Sequence, residues 1–187
     1  MAKYPNIIYL KLSEDPGLYG VWNLGIKKAS AQFISNANLD DRSNPKALEI
    51  QVKHLERHPK VDLVFTGYLI TEIPNETFSN HHASAVYNPK KFSIKKSAVV
   101  GPRPVWRKSL HQLYGFFDEA FRVAGDTEMW MRAVSKGAVF HKLPKVTTLY
   151  YQNPKGLSTD IDQEKTLQRN MELFRLTRMH PDFAAQY

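Results

Sequence analysis

The sequence predicts a single α/β domain with a largely parallel sheet. Two observations carry the class. From Asn6 to Thr71, apolar runs of strand length alternate with amphipathic stretches of helix length. The composition, 42% hydrophobic and 12% aromatic over 187 residues, supplies one core and argues against disorder. The domain is expected to span 1–187, with an irregular excursion over about 72–100 and a C-terminal helix over about 160–180.

Asn6 to Leu12, NIIYLKL, reads as a strand closed by the turn signal SEDPG. LYGVWNLGIKKASA reads as a helix whose apolar face is Val21, Trp22, Gly25, Ile26 and Ala29. QFISNA is a second strand. RSNPKALEIQVKHLERHP is the clearest helix: Asn44 caps it, Pro45 suits its first position, and Leu48, Val52 and Leu55 form its face. KVDLVFTGYLITE follows as one strand, or two around Gly67. The stretch 72–100 lacks a sustained period and reads as a long surface excursion. RKSLHQLYG is a short helix ending at Gly115. DTEMWMRAVSKG is another, starting at Asp126 and stopped by Gly137. AVFHKL and VTTLYYQ read as strands, and the last helix presents Leu167, Met171 and Phe174.

Charge and composition narrow the function classes. The formal net charge of +8 favours anionic partners, although plain solubility explains it equally well. The densest basic run holds Lys90, Lys91, Lys95 and Lys96. A nucleic-acid binder is not expected, because no binding motif accompanies the charge. With no cysteine, disulfides and thiolate metal sites are excluded. No apolar run reaches membrane-spanning length and no signal peptide is read, so a cytoplasmic protein is expected, with association at the inner membrane face an open alternative. The sequon at Asn75 is therefore taken as chance. His81 and His82 lack a third partner at metal-site spacing, and His54, His58, His111, His141 and His180 are dispersed along the chain.

Three constellations bear chemistry. Asn38-Leu39-Asp40-Asp41 ends the second strand, where open α/β sheets bind ligands. Hard oxygen donors there suit Mg²⁺ or Mn²⁺ with a diphosphate; a polar turn before the next helix is the plainer reading. In AGDTEMWMR, Asp126 is either an N-cap or a base facing a hydroxyl. Glu128 points differently and is a candidate for binding an acceptor. Trp130 is core or a sugar-stacking platform. In GPRPVWRKS, Arg103 and Trp106 lie in a rigid connection with a buried tryptophan, or in a wall of the substrate cleft.

The order of these pieces resembles the family-2 glycosyltransferases of the GT-A fold. The matching stretches are WNLGIKKASAQFISNANLDDRSNPKALEIQVKHLERHPKVDLVFTG, GPRPVWRKSLHQLYGFFDEAF and AGDTEMWMRAVSKG, within about Asn6 to Leu157. The resemblance implies a three-layer α/β/α sandwich, N-terminally truncated because the first nucleotide-binding strands of the pattern are not found. It places Asp40 as the metal ligand, for Mn²⁺ or Mg²⁺. Asn38 stands where the pattern has its first carboxylate, and Asp41 follows. Asp126 aligns with the catalytic base, with Gly125 where the pattern has Glu. The implied reaction is inverting transfer from a nucleotide-diphosphate sugar to a hydroxyl of a glycan or lipid-linked acceptor. Arg103, Trp106, Glu128 and Trp130 would shape the acceptor side. The missing strands imply a homo-oligomer that covers exposed apolar edges, or a catalytically inactive binding or assembly module of the same fold.

Overall fold

The computed structural model describes residues 5–83, 85–87 and 100–181. The basic run at Lys90–Lys96 and much of the expected excursion lie outside the described residues. In chain order come α1 (Gly17–Lys28), β1 (Phe33–Ser35), β2 (Arg42–Ser43), α2 (Ala47–Arg57), β3 (Leu63–Thr71), β4 (Ala85–Tyr87), β5 (Val105–Arg107), α3 (Leu110–Tyr114), α4 (Gly125–Ser135), β6 (Phe140–Tyr151) and α5 (Gln163–Met179).

The strands form one sheet in the order β1-β5-β3-β6-β2, with β4 also on β3. It is not the largely parallel sheet expected. Among the described residues only β3 and β6 run parallel; the other pairings are antiparallel. The alternation of strands and helices misled because β5 and β2 are too short to read as strands. Both insert antiparallel to their neighbours. Gly67 lies at a register shift against β6, so the expected break in β3 is an irregularity within one strand.

Period-2 alternation sends successive side chains to opposite faces. Leu63 and Phe65 of β3, with Trp106 of β5, enter a core with Tyr19, Leu110, Phe117, Met129, Trp130 and Leu176. Val64 and Val105, their neighbours, enter a smaller core with Leu55 and Val61. Thus α1, α4 and α5 contribute to one face and α2 to the other, giving an α/β/α arrangement.

Several expected faces are rotated. On α1 the buried residues are Tyr19, Gly20, Asn23 and Ile26, while Val21 is exposed. Asn23 is tolerated inside because its amide donates to Phe117 O and Phe117 N donates back to its Oδ1, at 2.9 and 3.0 Å. On α2, Leu55 is buried and Val52 packs against the smaller core as expected, while Leu48 is exposed and Gln51 buried. On α5 the expected face Leu167, Met171 and Phe174 is 61–67% exposed, and Glu172 and Leu176 are buried instead. NIIYLKL joins no strand among the described residues, and Ile7, Ile8, Tyr9, Leu10 and Leu12 are exposed.

The glycine stops match the sequence, whereas α2 starts later than expected: Lys46 stands at its N-cap with no side-chain cap, and Asn44 and Pro45 form a turn ahead of it. Asn44 Oδ1 accepts from Lys46 N at 2.9 Å ahead of α2. Gly115 and Gly137 end α3 and α4 with φ of 87° and 99°, a region that favours glycine. Asp162 caps α5, accepting from Glu164 N and Lys165 N. His111 is buried: its Nε2 accepts from Trp106 Nε1 at 2.9 Å, so Nδ1 carries the proton toward Gly115 O at 3.1 Å. Burial lowers its pKa, which keeps the ring neutral. His54, His58 and His141, dispersed in sequence, are brought together, with His54 Nε2 and His141 Nδ1 3.0 Å apart.

Candidate active site

A cleft of about 850 Å³ opens beyond the end of β1. One wall is the segment Asn36 to Asp40. Tyr19 and Trp22 of α1, Arg122 and Val123, and Asp126 and Trp130 of α4 also line the cleft. Gly101, Pro102 and Pro104, Tyr68 of β3, and Tyr150 and Tyr151 with the following 153–159 segment complete it.

The β1 wall is shaped by local hydrogen bonds. Asp41 is 8% exposed and turned from the cleft: Oδ1 accepts from Tyr151 N at 3.1 Å and Oδ2 from Asn38 Nδ2 at 3.0 Å. Burial, the largest cause, raises its pKa to about 6 despite these bonds. Arg42 pins the loop by donating to Leu39 O and Asp41 O, both at 2.9 Å. Asn38 and Asp40 are left exposed on the cleft. Asn36 lines the same wall, and its Oδ1 is buried without a hydrogen-bond partner.

Asp126 lies in the first turn of α4. Burial is the main cause that raises its carboxyl above the ordinary range; hydrogen bonds from Thr127 N (2.7 Å) and the Tyr19 hydroxyl (3.4 Å) act in the other direction. The single Tyr19 hydroxyl proton is directed chiefly at Val123 O, 2.8 Å away, so Asp126 Oδ1 at 3.4 Å takes only the weaker share of it. Gly125 is packed against this ring: a Cβ there would stand 2.6 Å from Tyr19 Cε2. Tyr19 therefore occupies the space that a side chain at 125 would need.

The remaining sequence candidates fall outside the cleft or beneath it. Trp130 is 3% exposed and forms part of the floor. Trp106 lies behind it, 1% exposed, in edge-to-face contact at 5.4 Å between ring centres. Glu128 is 1% exposed and paired with Arg132. Arg103 adopts φ of 63° and donates to Ser43 Oγ at 2.8 Å, and it does not line the cleft. Asn38, Asp40, Asp126 and Trp130 share the cleft; Asp41, Arg103, Trp106 and Glu128 support its walls. Sequence reasoning missed Tyr19, Asn36, Tyr150 and Tyr151. The pair Tyr150-Tyr151 at the end of β6 carried a signal, because a strand's carboxyl end faces the ligand side.

Among the described residues, no three His, Asp or Glu side chains converge as a metal site. The exposed Asp40 carboxylate and Asn38 amide oxygen on the cleft still offer hard donors. Such a set fits Mg²⁺ or Mn²⁺ when substrate phosphates complete the shell.

The family model for glycosyl transferase family 2 matches residues 1–114. This chain belongs to that family. An uncharacterised glycosyltransferase of Methanocaldococcus jannaschii is 25% identical over 147 residues, which are 74% of this chain and 48% of that protein. The chain thus spans about half the length of that relative. The fold is similar to TarS of S. aureus, residues 1–349, with a TM-score of 0.59 and 16% identity over 96% of this chain and 66% of that one. The same protein in complex with UDP-GlcNAc gives 0.62 and 15%, covering 94% and 52%. A mannosyltransferase from Pyrobaculum calidifontis, in complex with GDP-Man and Mn²⁺, gives 0.56 and 15%, covering 87% and 45%. These likenesses place the chain in the GT-A fold class.

Proposed function

We propose that the chain transfers a sugar from a nucleotide-diphosphate sugar to an acceptor hydroxyl, with inversion, in glycan or polysaccharide synthesis. The observation that carries the reading is that Asp126 and the Asn38–Asp40 segment line one and the same cleft. Its family and the nucleotide sugars bound by similar folds support it.

In this reading, Asp126 takes the proton from the acceptor hydroxyl. The hydroxyl oxygen bonds to the anomeric carbon as the bond from that carbon to the diphosphate oxygen breaks. A raised pKa makes Asp126 a stronger base than an ordinary carboxylate. Thr127 N, donating at 2.7 Å, keeps the carboxylate oriented, with the Tyr19 hydroxyl beside it. Asp40, with Asn38, would hold a divalent ion, which when bound would offset the charge left on the departing diphosphate. Trp130 offers the sugar an apolar floor, and Trp106 holds Trp130 in place. The acceptor is a glycan or a lipid-linked sugar. Among the described residues no helix is long and apolar enough to cross a membrane. The exposed apolar residues from Ile7 to Leu12 fit coverage by a second copy.

The test is release of nucleoside diphosphate from a panel of nucleotide sugars with simple sugar acceptors, in wild type and Asp126→Asn. Acceptor-dependent release lost in the variant supports the reading; equal release by both contradicts it. A second reading, a binding module without turnover, is favoured by Asn38 and Gly125 standing where the family pattern has carboxylates. Donor binding without release would select it.

A further inference from the structure

Glu172 is on α5, 46 residues beyond Asp126 in sequence, and is only 7% exposed. A buried carboxylate is costly unless donors meet it. Its donors are main-chain amides of one short segment. Oε1 accepts from Arg122 N at 2.7 Å, and Oε2 from Val123 N and Ala124 N, both at 2.8 Å. Ala124 immediately precedes α4, so the carboxylate sits at the positive end of the helix that carries Asp126. From the opposite side, the Tyr19 hydroxyl holds Val123 O. Arg122 and Val123 themselves line the cleft. The helix packs Leu173 and Leu176 against the main core, and beside them, on the same buried face, it inserts a carboxylate onto three amides.

We infer that Glu172 is a positioning residue: through the amides of Arg122, Val123 and Ala124 it fixes the start of α4, and with it the Asp126 carboxylate, against the cleft. The inference rests on the reading of Asp126 as the base, and its test separates the two.

The test compares Glu172→Gln, Glu172→Asp and Leu176→Ala. The amide of E172Q has one acceptor oxygen and turns a donor toward the segment. The shorter side chain of E172D cannot reach all three amides. L176A loosens the same helix by removing a fully buried side chain while leaving Glu172 in place. Two quantities are read: the titration midpoint of the Asp126 carboxyl by carbon NMR, and kcat and KM for the nucleotide sugar. In E172Q the midpoint should fall toward the ordinary carboxylate range and kcat should drop roughly 100-fold, a cost typical of a misplaced reacting group. The donor KM should stay within about twofold, since binding on the β1 wall is untouched. E172D should fall between wild type and E172Q. L176A should lower the melting temperature without moving the Asp126 midpoint or kcat. The inference is overturned if E172Q, or E172D should E172Q not fold, behaves as L176A does. Absence of turnover in wild type would refute the proposed function, and the Asp126 titration would still decide the role of Glu172.

Discussion

Removing the Glu128 side chain separates a substrate-binding role for this residue from a structural one. Glu128 lies two residues after Asp126, and by sequence it is a candidate for holding an acceptor. In the structure its carboxylate takes two parallel hydrogen bonds from Arg132, Nε to Oε1 at 2.7 Å and Nη2 to Oε2 at 2.8 Å. The side chains are 1% and 20% exposed. Arg132 also donates to Tyr114 O and Phe116 O, so the pair ties α4 to the end of α3. Breaking a buried pair by deleting one partner costs about 3–5 kcal/mol. Arg132 would keep its two carbonyl acceptors and some solvent, which places Glu128→Ala near about 3 kcal/mol on that scale. For a domain of this size that lowers the melting temperature by roughly 6–12 °C. The assay is urea and thermal unfolding of wild type and variant at matched pH, followed by acceptor KM at a temperature where both are folded. An unchanged unfolding midpoint with a raised acceptor KM would refute the reasoning and put Glu128 in contact with substrate.

Asp126→Asn should reduce turnover by about 10²-fold or more while leaving nucleotide binding intact, measured by steady-state rates beside calorimetry. Because burial raises the Asp126 pKa, the acidic limb of the wild-type pH–rate profile should lie above the ordinary carboxylate range. Activity is then lost as pH falls through that raised value; a limb at the ordinary value contradicts it. Gly125→Ala should cost about 1–3 kcal/mol in chemical unfolding, because the new Cβ meets the buried Tyr19 ring. A neutral result would mean that Tyr19 yields freely. Light scattering at micromolar concentration should give a species larger than 21.5 kDa, and a monomer would contradict coverage of Ile7–Leu12 by a second copy.

The layers of the fold were legible because continuous apolar runs such as Leu63-Val64-Phe65 need cover on both faces, and helices with clear stops supply it. Strand direction was not legible. Val105–Arg107 and Arg42–Ser43 carry too few residues to show a period, and their antiparallel pairings depend on distant partners. Helix faces were read one step out of register wherever a polar residue had found internal partners. Asn23 and Glu172 are buried by hydrogen bonds to chain segments tens of residues away, which no hydrophobic pattern reveals. Asp40 and Asp126 stood out because one follows a strand's carboxyl end and the other opens a helix, in the order of motifs that resembles the family. The distinction between Asp40 on the cleft and Asp41 behind it rests on Tyr151 N and Asn38, and so on tertiary structure.

The central claim is that the cleft lined by the Asn38–Asp40 segment and Asp126 receives a nucleoside diphosphate. It is tested most directly by calorimetric titration of UDP, GDP and dTDP, each with and without Mn²⁺, into wild type and Asp40→Ala. Wild type should bind at least one nucleotide in a metal-dependent manner, and Asp40→Ala should lose that binding. Binding that is indifferent to both Mn²⁺ and the substitution, or no binding by wild type, would contradict it.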